Sequence, residues 1–338
     1  MKRILIALAV AITAPMAGAR PLNAVTSMAS APEEEGGKLE KITTAADRVA
    51  TYRGRLVKNT STFLSSNKVT ETKWWVPAQI ALSPDGTHIA YISEKNGKTE
   101  AVIRKLAKEA TSARHIPSAN VVALSWNNVD NTLCLTERHG KSFRIRIIDA
   151  LSGAPITQIT DGKGNDFGGT TAADGKTVFF HRADGPSGYN LWKYDTHTHH
   201  SSMIAPGMTI CLVPGVQDEA YCARINDRNE SEIWHINLTT GAEELVLARQ
   251  GKSFTTPQLS PDGAWLLVTA NSLSGEDNTP NTDIYAARTD GTQLTRLTYH
   301  TGNDLSAIWS HDGRSIYFLS QRGSKPGKYD IWRMDFNL

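Results

Sequence analysis

An aspartate-centred turn returns six times along this chain and limits what it can fold into. Leu82-Ser83-Pro84-Asp85-Gly86 and Leu259-Ser260-Pro261-Asp262-Gly263 are nearly the same pentapeptide, and Trp309-Ser310-His311-Asp312-Gly313 is a third copy. Weaker copies place the aspartate at 130, 174 and 218, so the turns recur at intervals of 44 to 50 residues. A unit of that length cannot bury both of its faces alone and must stack on its neighbours.

Each turn is followed by a β-rich run, such as His88 to Ile92, Thr177 to Phe180 or Ile316 to Leu319. A second run follows, often with an aromatic: Leu191-Trp192, Ile233-Trp234, Ile284-Tyr285 and Ile331-Trp332. A third run comes after a glycine turn, as at Gly153, Gly241 and Gly291. With the strand before each Asp-Gly turn, this makes four strands per unit. The pattern predicts an all-β, six-bladed β-propeller of four-stranded antiparallel blades. The last unit ends after its third strand, and an open edge is a liability that an N-terminal strand must cover. Thr62 to Thr70 is the expected closing strand and Leu39 to Thr43 the alternative.

Ahead of the repeats, Lys2 and Arg3 precede the apolar run Ile4 to Ile12, and Ala17-Gly18-Ala19 supplies small residues for cleavage. This reads as a signal peptide over 1–19, followed by a linker over 20–61 and the propeller over 62–338. No later segment is apolar for long enough to span a bilayer. The formal net charge of +2 includes Lys2 and Arg3, which leaves no basic excess for a nucleic-acid partner. Three cysteines are too few for a disulfide-stapled scaffold; in an oxidising compartment a Cys211–Cys222 bridge is the pairing open to them.

The run Leu294-Thr295-Arg296-Leu297-Thr298, Gly302-Asn303-Asp304, Ile308-Trp309-Ser310, Asp312-Gly313 and Asp330-Ile331-Trp332 resembles the repeat of TolB-type propellers. The same repeat occurs in the propeller domains of dipeptidyl-peptidase-like proteins. The likeness spans about residues 62–338 and is sharpest in blades one, five and six. It implies the fold and an envelope-associated partner. TolB itself is similar to an N-terminal α/β domain joined to a propeller, and the forty residues after position 19 are too few for that domain. A peptidase needs a G-x-S-x-G elbow on a strand-to-helix turn. Gly185-Pro186-Ser187-Gly188 has the wrong spacing.

The six turn aspartates invite a metal reading, but Asp before Gly ordinarily bonds its own turn. His197, His199 and His200, with His181 nearby, form a run that could hold a metal only if histidines from several blades converged. The best-placed residues lie in the loops that cross from one blade to the next. Gly164-Asn165-Asp166 repeats as Gly302-Asn303-Asp304, and Trp74-Trp75 stands in the corresponding loop of blade one. Aromatic faces beside amides and carboxylates suit peptide or sugar recognition. The same residues could instead cap loops and pack between blades. Asn271 to Asp283 and Gln321 to Tyr329 are long loops on the same side.

These readings lead to a non-catalytic periplasmic or secreted propeller with no cofactor and no metal. Its expected partner is a protein or peptide, bound by Trp74, Trp75, Asn165, Asp166, His300, Asn303 and Asp304, within an envelope complex. The alternative is a metal-assisted lyase acting on carbohydrate.

Overall fold

In a computed structural model, the described residues are 38–44, 46–51, 54–55, 74–75 and 77–338, apart from 108–112, 119, 128, 185–187, 275–277 and 324–327. Six four-stranded antiparallel sheets follow one another, and no helix occurs among the described residues. The innermost strands are Ile80–Leu82, Val121–Trp126, Asp166–Thr171, Met208–Leu212, Phe254–Leu259 and Asp304–Trp309. Each begins a blade, and the chain then runs outward through three more strands. This is the propeller expected from the repeat.

The Asp-Gly turns join first and second strands and are held as turn chemistry requires. Asp262 accepts from the Ser260 hydroxyl at 2.5 Å and from the Ala264 N–H at 3.1 Å, and Gly263 takes φ 72°. Asp312 does the same with Ser310 and Arg314. These bonds hold both carboxyl groups below the ordinary carboxylate range.

Apolar clusters lie between blades. Leu267, Ile284, Ala307 and Phe318 fill the joint of blades five and six, and Ile80, Tyr91, Leu305 and Ile331 fill that of six and one. Burial of such faces at about 25 cal/mol per Å² supplies most of the favourable energy. In blades three to six the innermost strand bulges at Gly168, Thr209, Thr256 and Ser306, all at left-handed φ between 50° and 65°. The bulge turns backbone groups away from their own sheet and toward the neighbouring blade.

Every joint is then crossed by hydrogen bonds. Gln79 N–H donates to Ser306 Oγ (3.0 Å), Leu124 N–H to the Ala78 carbonyl (3.0 Å) and Ser125 Oγ to the Gly169 carbonyl (2.6 Å). Thr209 N–H donates to His181 Nδ1 (3.4 Å), Thr256 N–H to Thr209 Oγ1 (3.3 Å) and Trp309 Nε1–H to the Gln258 carbonyl (3.1 Å). Gln79, His181, Thr209, Thr256 and Ser306 are all buried.

The strand that closes blade six is Leu39–Lys41, paired with Asp330–Asp335 in the register Leu39↔Met334 and Lys41↔Trp332. The outer position expected for Thr62–Thr70 is therefore taken by the earlier alternative; residues 62–70 lie outside the described residues. The difference has a physical reason. Beyond Leu39–Lys41, Thr43 Oγ1 donates to Asp330 and accepts from Ile331 N–H, both at 2.9 Å. Asp47 then accepts from Tyr91 Oη (2.7 Å) and Arg104 (2.9 Å) of blade one. About thirty residues separate Asp47 from Ile80, far more than in the other blade-to-blade crossings, so a closing strand spaced like the others falls at Thr62–Thr70.

Cys211 and Cys222 are both free. Cys211 stands opposite Tyr221 in the ladder, so Cys222 faces the other side of the sheet and no bridge forms.

Removing residues 38–47 is expected to replace the single cooperative thermal transition with a broad, early one. Asp47→Ala alone should cost about 3 kcal/mol, because it removes a buried carboxylate that both Arg104 and Tyr91 bind. Chemical denaturation of both variants checks this; a deletion as stable as the parent sinks it.

Candidate functional site

The chain reverses at each strand, so all blade-to-blade crossings and all loops between second and third strands share one face. Of the site residues expected from sequence, Asn165, Asp166, His300, Asn303 and Asp304 lie on this crossover face, but the structure divides them. Asn165 and Asp166 open blade three, whereas His300, Asn303 and Asp304 open blade six, halfway round the ring. Trp74–Trp75 pairs with Gly54–Arg55 in a separate two-stranded sheet.

Asp166 and Asp304 are fully buried. Arg182 Nε donates to Asp166 at 2.5 Å, and an Arg322 amino group donates to Asp304 at 2.5 Å. A buried carboxylate is held only with such a partner. These two aspartates therefore fix the crossings rather than face a ligand. Asp283, also buried, accepts from Arg296 at 2.6 Å. Burial pushes Asp283 up to about 6 despite the Arg296 charge. Burial, with Asp283 as a neighbour, holds Asp304 well above the usual carboxylate range.

The polar stretch Asn271 to Asp283 is not a loop but an extension of a ten-residue hairpin, Trp265–Ser274 with Thr279–Arg288. It projects past both neighbouring strands and is clamped at its base. Asn271 Nδ2 donates to the Gly251 carbonyl and its Oδ1 accepts from Ser253 N–H. On the other side Asn281 Nδ2 donates to the His300 carbonyl at 2.7 Å. Asn303 Oδ1 accepts from Thr282 N–H, and its amide donates to Gln321 Oε1 at 2.8 Å. His300 Nδ1 accepts from Gly302 N–H at 2.9 Å, which leaves the ring proton on Nε2. Half-buried His300 and exposed Leu273 are thus presented on a cross-linked platform.

The arginines that organise this face were missed in the sequence, although a signal exists. Arg182, Arg224 and Arg322 each stand ten residues before a tryptophan, and each guanidinium lies over that ring, at 4.5, 5.0 and 5.6 Å. Each also pairs with a carboxylate, Asp166, Glu243 or Asp304.

The histidines do not converge. His197, His199 and His200 are exposed on one turn, where Tyr194 Oη meets His199 Nδ1 at 2.8 Å. His181 is buried in the joint of blades three and four, stacked on Phe167. Among the described residues no group of three or more His, Cys, Asp and Glu could hold a metal ion. Among the described residues no helix is long and apolar enough to cross a membrane.

Six blades of four strands, closed by an N-terminal strand and bearing no second domain among the described residues, define the class as a β-propeller. Residues 182–337 match the family model for the TolB beta propeller domain. Among solved structures it is similar to a protein from Agrobacterium tumefaciens described as TolB, at 12% identity and TM-score 0.54, over 80% of this chain and 94% of that one. TolB from Acinetobacter baumannii matches at 16% and 0.56, over 76% of this chain and 66% of that one. Hydrazine synthase from Kuenenia stuttgartiensis matches at 15% and 0.51, over 81% and 90%. Likeness at this level shows the fold alone.

Burial depresses His181 to about 3, against about 6.5 when unfolded. Below about pH 6.5 the unfolded chain takes up a proton that the folded joint refuses, so stability falls as pH drops toward 3. The expected slope from this group is about 1.4 kcal/mol per pH unit. His181→Asn keeps an acceptor for Thr209 N–H and should lose that slope; equal slopes in urea denaturation between pH 6 and 4 would count against it.

Proposed function

We propose that this protein is a non-catalytic binding propeller, exported to the periplasm or secreted, which holds a protein or peptide partner on its crossover face. The carrying observation is the platform at blades five and six. There a projecting hairpin and the crossing His300–Asn303 are cross-linked by Asn281, Asn303 and Gln321. A rigid scaffold that presents a free donor at His300 and an exposed apolar residue at Leu273 pays little ordering entropy on binding. The TolB-type repeat and the signal-like residues 1–19, which lie outside the described residues, support an envelope location.

In this reading Trp74 and Trp75 contribute aromatic contacts, while Asn165, Asp166 and Asp304 hold the crossings in shape. Partners carrying a compact exposed segment fit such a face better than nucleic acid, given the near-zero balance of charge.

A photo-crosslinking residue at position 273 or 300 is expected to capture one and the same partner in cells. The same residue at position 203, exposed on the outermost strand of blade three, should capture none. Trp74→Ala with Trp75→Ala should weaken the captured complex by about tenfold. Capture from 203 alone, or full affinity without both tryptophans, rejects the site.

A further inference from the structure

The joints are not equally filled at the face carrying the Asp-Gly turns. Between blades five and six, three aromatic side chains pack there: Trp265 and Trp309 meet Phe336 at 5.5 and 4.7 Å, and Arg288 lies 4.0 Å over Trp265. The joint of blades three and four has the same backbone and different side chains. Thr177 stands where Trp265 does, three residues after the turn aspartate and paired with the last residue of the third strand. Leu212 ends the innermost strand as Trp309 does, and Leu238 follows the third strand as Phe336 does. Ala286 is replaced by Lys193, two residues before the third strand ends.

Loss of three aromatic rings leaves an open cleft of about 540 Å³, floored by Ala172 and Phe179. Lys193, Gln217, Asp218 and Thr239 stand around it. Lys193 is exposed and has no ion-pair partner among the described residues. Asp218 spends one oxygen on Asn237 Nδ2 at 3.2 Å and keeps the other. Asp174, at the rim, is committed to its own turn through Lys176 N–H, Thr177 N–H and Thr177 Oγ1.

The volume lies in the range of small-ligand pockets. Its walls offer an ammonium, an amide, a hydroxyl and a carboxylate above an apolar floor. That mixture of donors and acceptors matches vicinal hydroxyls with a carbon face beneath them. The nearly balanced charges favour neither a polyanion nor a polycation.

We propose that the cleft between blades three and four is a binding site for a neutral saccharide of one or two rings. It lies at the end of the blades opposite the crossover face, so it is independent of the partner site above.

Saturation-transfer NMR on the intact protein with cellobiose, maltose and N,N′-diacetylchitobiose tests this. At least one should bind with a dissociation constant on the order of 1 mM. Lys193→Ala should weaken that binding at least about tenfold. Thr177→Trp, which refills the cleft as Trp265 fills its own joint, should abolish it while the melting temperature holds or rises. Absence of binding by all three sugars, or binding that survives Thr177→Trp, overturns the proposal. Should Thr177→Trp fold poorly, unchanged binding in both Lys193→Ala and the exposed Gln217→Ala overturns it equally. Crosslinking from positions 273 and 300 should be the same in every one of these variants.

Discussion

The ring depends on what crosses its joints. A four-stranded sheet satisfies its interior backbone groups but has two apolar faces, and each face finds a partner only on the next blade. Apolar packing alone would let blades slide. The bulges at Gly168, Thr209, Thr256 and Ser306 prevent that by turning N–H and hydroxyl groups across the gap. Three of the four are not glycine, and a left-handed threonine or serine costs about 1–3 kcal/mol. That strain is offset by buried hydrogen bonds that would otherwise go unmade. Gly169 shows how close the approach is, since a Cβ there would collide with Cys134 Sγ.

Closure follows from the same logic. Five joints form between blades that follow one another directly, but the sixth must join the last blade to the first. Here Leu39–Lys41 completes blade six while Asp47, a few residues on, is bound into blade one by Tyr91 and Arg104. One short stretch of chain thus holds both sides of the seam. His311, in the position that proline takes in two other turns, adds a bond from Nε2 to the Ser83 carbonyl at 2.7 Å.

The crossover face is organised by carboxylates that never reach solvent. Asp166, Asp283 and Asp304 are each buried against an arginine. Such pairs add little net stability against an apolar alternative, but they fix geometry, because breaking one leaves a buried charge. They set where each crossing begins, and the asparagines and glutamine then lock the hairpin of blade five to the crossing of blade six. Rigidity at this face is therefore an electrostatic product, whereas rigidity at the turn face comes from Asp-Gly turns and, at one joint, from aromatic packing.

Residue order by itself determined the blade number, the four-strand unit and the turn chemistry, because these depend on spacing and on local hydrogen bonds. Asp85, Asp262 and Asp312 could be read as turn residues from three or four neighbours. Contacts between distant segments decided the rest. Whether Leu39 or Thr62 closes the ring turned on Thr43 and Asp47 meeting Asp330, Tyr91 and Arg104, partners 44 to 287 residues away. Whether Asp304 faces a ligand or an arginine turned on Arg322, eighteen residues on, folding back beneath it. The same holds for the cleft at blades three and four: Thr177, Leu212 and Leu238 are unremarkable along the chain, and only stacking one blade on the next shows that the aromatic filling of another joint is missing there.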